Sequence, residues 1–271
     1  MIAKRKAVIR NAAEIDKSRV AGGLAAQVLD MISAHVVAGV STDELDQICH
    51  DYIVNVLKVK PANVGYHGYT KTLCTSVNHV VCHGIPADKR LKNGDIVNID
   101  VAIVNDGWFG DTSRMYFVGE PSILARRLVR TTYEAMRAGI LAVKPGATLG
   151  DIGHAIQTVA HDAGFSVVRE YCGHGIGDVY HDGPDILHYG VPGTGQVLQA
   201  GMIFTIEPMI NAGKAAIRQL ADGWTVVTKD HSLSAQWEHR VVVTDSGFEI
   251  LTAWPDGYGT YTAIESQPAV N

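Results

Sequence analysis

Apolar residues recur at helical spacing across residues 14–38, with Ile15, Val20, Leu24, Val28, Met31 and Ile32 on one stripe. That period predicts an amphipathic helix, in spite of Gly22 and Gly23 within it. Ser41-Thr42-Asp43-Glu44 reads as a capping box, in which serine and glutamate each bond the other's backbone N–H. It opens a second helix with Leu45, Ile48, Tyr52 and Ile53. Residues 72–82 and 95–118 are rich in Val, Ile and aromatics and predict strands. The same order then returns. Leu124, Leu128, Val129, Ala135, Met136 and Ile140 predict a helix over 122–143. Thr148-Leu149-Gly150-Asp151 forms a second capping box before Ile152, Ile156 and Val159. Strands are predicted at 166–172, 201–211, 215–221, 224–228 and 237–252.

Gly39 to Ser41 and Gly146 to Thr148 hold the same place between helices, ahead of strands. The economical reading is one domain over 1–271, built from two similar halves at roughly 10–120 and 121–252. Helices and strands do not follow the short βαβ rhythm, so the expected class is α+β with antiparallel sheet. The last ~15 residues, with Pro255, Gly257, Gly259 and Pro268, predict an irregular tail.

Composition narrows the classes. Hydrophobic residues make up 46% of the 271 and charged residues 19%, which suits a soluble domain with a sizeable core. The net charge is −5, and the only dense basic run is Lys4-Arg5-Lys6, so no nucleic-acid footprint is expected. No apolar run reaches the ~18 residues of a membrane span, and no signal-peptide pattern is present. A cytoplasmic protein without membrane contact is expected. Heptads are absent, which favours a monomer. Cys49, Cys74, Cys82 and Cys172 form no C-x-x-C pair, so free thiols are expected. Cys82 and Cys172 lie close to histidines, where a structural thiol is favoured over a nucleophile.

The acids and histidines carry the chemistry. Residues 95–104 read as a strand ending at Asn105-Asp106-Gly107, a hairpin signal. One register sets Asp100 opposite Asp111; the register one step on pairs Asp111 with Ala102. Both put the two carboxylates on one face, where like charges repel. A metal pair answers that repulsion, and so do two edge carboxylates facing water. His174 lies between glycines in Gly173-His174-Gly175-Ile176-Gly177, on an expected loop, with His181 further on. Glu207 interrupts an apolar strand just before Pro208, and Glu238 opens another. A glutamate is costly to bury unpaired. Together these oxygens and one imidazole suit a pair of divalent ions, with Mn, Fe, Co or Zn ahead of a structural zinc. Two such ions generate a nucleophile and polarise a carbonyl, which is hydrolytic chemistry.

At this point the chain resembles the bacterial kind of type I methionine aminopeptidase along nearly its whole length. The resemblance rests on Gly65-Tyr66-His67-Gly68-Tyr69, Val81-Cys82-His83-Gly84-Ile85-Pro86, Gly94 to Asp100, Gly110-Asp111-Thr112, Gly173 to Gly177, Thr205-Ile206-Glu207-Pro208 and Ser234 to His239. It implies the pita-bread fold, with two pseudo-symmetric halves and helices outside antiparallel sheet. It implies Asp100, Asp111, His174, Glu207 and Glu238 as ligands of two divalent ions, Asp111 and Glu238 bridging. Glu207 would be the general base, His181 would stabilise the oxyanion, and His83 would contact the scissile amide. Tyr66, Tyr69, Cys74, Tyr180 and Trp224 would hold the methionine. A monovalent cation near Asn78, Val80 and Ser234 is a further implication. Substrates would be nascent polypeptide N-termini with a small second residue, and a ribosome contact fits that role. The chain departs from the family at Asn63, Thr70, Asp178 and Tyr180, where Cys, Pro, Arg and Phe are common. Those positions concern the pocket rim and preference beyond the first residue. The competing readings are a proline-specific aminopeptidase or prolidase of the same fold, and a non-enzymatic pita-bread binding protein.

Overall fold

The computed structural model describes residues 6–253; the tail expected over the last residues lies outside them. The first half runs through α1 (Ala12–Ile32), α2 (Thr42–Asp51), β1 (Lys60–Pro61), β2 (Leu73–Val77), β3 (Val80–Cys82), β4 (Ile96–Asn105) and β5 (Trp108–Phe117). The second half has α3 (Ile123–Leu141), α4 (Leu149–Asp162), β6 (Ser166–Val167), β7 (Gly173–Gly175), β8 (Asp182–Ile186), β9 (Ile203–Ile206) and β10 (Met209–Asn211). It ends in β11 (Ile217–Gln219), β12 (Val226–Thr228), β13 (Ser234–Gln236), β14 (His239–Val243) and β15 (Phe248–Ile250).

Both capping boxes form. Ser41 Oγ accepts from Glu44 N while the Glu44 carboxylate accepts from Ser41 N. Thr148 and Asp151 close the second box at the start of α4. The first helix is shorter than its apolar stripe predicts, giving way to a 3₁₀ turn at Ser33–His35. Its buried face also differs. Val20 is 54% exposed, whereas Ala21, Gly22, Ala25 and Ala26 are buried. Small residues line that face because α1 lies directly on β5: a Cβ on Gly110 would meet the Ala21 carbonyl oxygen at 2.1 Å.

Every strand pairing among the described residues is antiparallel. The β4–β5 hairpin takes the second of the two registers, Ala102 opposite Asp111, around a tight turn at Asp106-Gly107 with φ of 48° and 80°. Strand alternation then sorts β4 into two faces. Val97, Ile99, Val101 and Ile103 pack with Leu29, Ile32 and Leu45 under α1 and α2. Asn98, Asp100 and Ala102 face the other way. In the second half, α3 and α4 cover Phe204, Ile206, Ile210, Trp237 and Val241. Each such side chain fully buried contributes about 1.5–3 kcal/mol over leaving it in water.

Several long predicted strands are broken. Residues 72–82 become β2 and β3 around Asn78, whose φ of 56° ends the extended run. Residues 201–211 split at Glu207-Pro208, where the chain leaves the β15-β14-β9-β7-β8 sheet for the β13-β10-β6 sheet. Residues 237–252 split at 244–247, and 166–172 yields only β6. His174 stands in β7, not on a loop.

Candidate functional site

The break at Glu207-Pro208 is matched on the neighbouring chain segment. Ile206 pairs with His239 on one side of the gap, and Met209 pairs with Gln236 on the other. The register therefore sets Glu207 opposite Glu238 where neither has a ladder partner in this pair of strands. Glu238 N bonds instead to Ser113 O at 3.2 Å, and Thr112 Oγ1 donates to Glu238 O at 2.7 Å. Ser113 in turn pairs with Asp100. This row carries both glutamates up to the hairpin that holds Asp100 and Asp111.

His174 completes the cluster from β7. Its flanking glycines serve close approach rather than looseness. A Cβ on Gly173 would meet Thr205 O at 2.3 Å, and one on Gly175 would meet Gly183 O at 1.9 Å. The ring Nδ1 bonds Gly175 O at 3.1 Å, which leaves Nε2 facing the acids: 3.5 Å from Asp111 Oδ2 and 3.6 Å from Glu207 Oε1. Ligand atoms of Asp111, His174 and Glu238 all lie within 4.8 Å of one another.

The electrostatics show a cluster short of positive charge. Burial pushes the Asp100 and Glu238 carboxyls well above their ordinary values, and Asp111 and Glu207 add to both shifts. Glu207 is raised to about 7, by burial first; His174 and the Thr205 hydroxyl oppose the shift. Burial works against the His174 imidazolium, but the bond to Asp111 and the charges of Glu207 and Asp111 outweigh it and raise its pKa. Glu238 Oε1 is buried without a hydrogen-bond partner. A buried carboxylate oxygen left unpaired costs stability unless a cation or a proton meets it. Four carboxylates and one imidazole around such an atom fit divalent metal.

One cavity of ≈ 170 Å³ adjoins the cluster. All twelve residues singled out in the sequence as ligands, acid-base groups or methionine contacts line it. His181 Nδ1 lies 2.8 Å from the Tyr66 hydroxyl, and burial, then His174, lowers its pKa to about 4. Burial likewise lowers His83, which sits at φ 56° with its ring edge-on to Tyr171 at 5.4 Å. Tyr69 packs edge-on against Trp224 at 4.9 Å. Asn78, Val80 and Ser234 stand outside the lining; Ser234 N donates to Asn78 O at 2.8 Å.

The lining also includes Tyr171, Met209 and Gln236, to which the sequence assigns no role, together with Asn63 from the rim departures and Cys82 and Cys172, expected as structural thiols. Burial pushes the Cys172 thiol to about 12 and raises Cys82 well above its ordinary value, which disfavours the thiolate that a nucleophile needs. Thr205, to which the sequence assigns no role, also belongs to the site. Its hydroxyl donates to Glu207 Oε1 at 2.6 Å and accepts from His174 N at 3.0 Å. The available signal was its place two residues before Glu207, on the same face of the strand. His188 is fully buried and accepts from Glu207 N at 3.2 Å; nothing in its apolar surroundings in the sequence marks it. Asp178 does not line the cavity; its carboxylate turns to Arg10.

Residues 16–245 match the metallopeptidase family M24. The chain belongs to metallopeptidase family M24. Within this family its likeness is to the methionine aminopeptidases. It is 58% identical to the methionine aminopeptidase of Escherichia coli strain K12 over 249 residues, covering 92% of this chain and 94% of that protein. The crystal structure of methionine aminopeptidase from Rickettsia prowazekii superposes with a TM-score of 0.90 at 55% identity, covering 91% of this chain and all of that one. The Thermotoga maritima enzyme superposes at 0.89 with 42% identity, covering 91% of this chain and 99% of that one. The M24 chain therefore has the pita-bread fold, α+β with antiparallel sheets, and is a metallopeptidase acting on polypeptide N-termini. No described helix is long and apolar enough to cross a membrane.

Proposed function

We propose that this protein removes the initiator methionine from nascent polypeptides by hydrolysis, mainly where the second residue is small. The observation that carries the reading is the convergence of five donors, with the unpartnered Glu238 Oε1 among them, on a cavity walled by aromatic rings and a thiol. Asp100, Asp111, His174, Glu207 and Glu238 would hold two divalent ions, drawn from Mn, Fe, Co and Zn. When bound, such ions lower the pKa of a water and polarise the scissile carbonyl.

The chain's own residues do the rest. Tyr66, Tyr69, Tyr180 and Trp224, with Cys74, enclose the methionine side chain, whose flexible thioether suits aromatic and sulfur contacts. Burial lowers the His181 pKa to about 4, so the ring is neutral at neutral pH; in the tautomer where the Tyr66 hydroxyl donates to Nδ1, Nε2 carries the proton and offers a donor to the developing oxyanion. His83, also neutral, donates to the scissile amide. Glu207 accepts the proton of the attacking water and returns it to the leaving amine, held in place by Thr205 and by its backbone bond to His188. A monovalent cation near Asn78, Val80 and Ser234, a ribosome contact, a monomeric state and a cytoplasmic site of action belong to the same reading.

The test is hydrolysis of Met-Ala-Ser by protein stripped of metal and then titrated with Mn(II) or Co(II). Free methionine should appear only with added ion, and an X-Pro peptide should be left intact. Cleavage of the X-Pro peptide instead would move the assignment to proline-specific hydrolysis. Metal binding with no cleavage of either peptide would support a non-enzymatic role.

A further inference from the structure

Residues 176–181 bring Tyr180 and His181 to the cavity, and the segment is gripped from two sides. On one side Phe109 N donates to Gly177 O at 2.8 Å, and the Phe109 ring stacks on Tyr180 at 5.1 Å with an interplanar angle of 8°. On the other side stands Arg10, from the segment that leads into α1. Its side chain is only 8% exposed. The guanidinium lies over the Trp108 ring at 5.1 Å, within 3.6 Å of Glu14, and bonds Asp178 Oδ1 at 2.5 Å. Gly177 makes this possible, since a Cβ there would come within 2.6 Å of Arg10 Nη2. Arg10 does not line the cavity. It reaches the cavity-lining segment through Asp178 and Gly177, three and four residues before His181 in the chain.

We propose that Arg10, acting through Asp178, is a positioning residue that fixes Tyr180 and His181 against the scissile bond. The inference rests on the proposed contact between His181 and the substrate carbonyl. A planar guanidinium held by Trp108 and Glu14 has a fixed orientation, so its fork defines where the Asp178 carboxylate sits. Asp178 is 56% exposed on its side chain, so replacing its charge disturbs the grip without opening the core.

Asp178→Asn tests this. Turnover of Met-Ala-Ser should fall about tenfold, in kcat more than in KM, because a small displacement of a transition-state contact acts on the chemical step. The thermal midpoint should stay close to that of the parent, and Asp178→Glu should recover part of the loss. In a His181→Ala background the same Asn change should cost clearly less, because one of the two residues it positions is gone and only the effect through Tyr180 remains. Histidine ¹⁵N spectra, with His181 assigned through His181→Ala, should show the His181 signals shifted or broadened in Asp178→Asn. That readout needs no turnover, so it stands apart from whether methionine is the residue released. Equal losses in both backgrounds, or His181 signals identical to the parent's, would overturn the proposal.

Discussion

The Tyr180 hydroxyl donates a hydrogen bond to Asn63 Oδ1 at 2.8 Å, and Asn63 Nδ2 donates in turn to Thr72 O at 3.0 Å. Both side chains are buried against the cavity, and burial pushes the Tyr180 hydroxyl well above its ordinary pKa, so it remains a donor. In the sequence, Tyr180 and Asn63 are two separate departures from the family pattern; in the fold they are one contact. Tyr180→Phe should leave Asn63 Oδ1 without this donor and cost about 1–3 kcal/mol, and Asn63→Cys should orphan the hydroxyl at similar cost. The double variant should recover much of that loss. A double-mutant cycle read by thermal or urea denaturation checks it; strictly additive losses would mean the pair is not coupled.

Glu207 is held by Thr205 and Gln236 on its carboxylate, by His188 on its backbone N–H and by Gln236 on its backbone carbonyl. Glu207→Gln keeps the shape and an oxygen donor but removes the basic site. Turnover should drop by about 10²–10⁴, the usual worth of a positioned general base. Mn(II) binding measured by calorimetry should be largely retained. Near-parental turnover in this variant would remove Glu207 from the role of base.

Glu238 gives a sign reversal. In metal-free protein its carboxyl lies well above the ordinary 4.5, because of burial first and then Asp111, Glu207 and Asp100. The folded state holds that proton more tightly than the unfolded state. The stability associated with it is complete below pH 4.5 and is lost as pH rises through the folded-state pKa. Glu238→Gln carries no proton to lose. In chelator, its melting midpoint should therefore gain on the parent as pH rises from 4.5 to 8. With saturating Mn(II) the order should invert, because a ligand has been removed. A gap independent of pH in chelator would show that Glu238 is not held in its acid form.

What was legible in the sequence followed from chemistry that a single position reveals. Carboxylates within apolar strands are costly, and the β4–β5 turn limits Asp100 and Asp111 to one face in either register. What was not legible depended on contacts between distant segments. His174 looked loop-borne because its glycines suggest freedom, whereas they admit the carbonyls of Thr205 and Gly183 at distances no side chain allows. Pro208 after Glu207 signals an edge or a bulge, but the residues on both sides are apolar, and only the fold shows the chain passing from one sheet to the other there. Asp178 looked like a rim residue, and only the fold shows Arg10 beside it, 168 positions away. An Arg at 178 would set two guanidiniums together. Asp178→Arg should therefore lower the melting midpoint as well as activity, and a variant as stable as the parent would argue against the Arg10 contact.

Gly22 and Gly23 are adjacent in α1 and indistinguishable by helix propensity, yet the fold separates them. A Cβ on Gly22 would meet Leu251 O at 2.3 Å and Arg240 Nη2 at 3.0 Å. Arg240 is itself fully buried and bonded to Ser18 O and Phe109 O, so it has little room to yield. A Cβ on Gly23 would meet nothing within 4 Å. Gly22→Ala should cost at least the about 1–3 kcal/mol of an overpacked contact, since the obstacle is backbone. Gly23→Ala should stabilise by about 0.5–1 kcal/mol, because alanine loses less freedom in a helix and here meets no wall. Urea denaturation of the two variants side by side reads the difference. Equal effects would mean that α1 does not lie as close to Leu251 and β5 as the packing requires, and the placement of the hairpin carrying Asp100 and Asp111 would have to be revised with it.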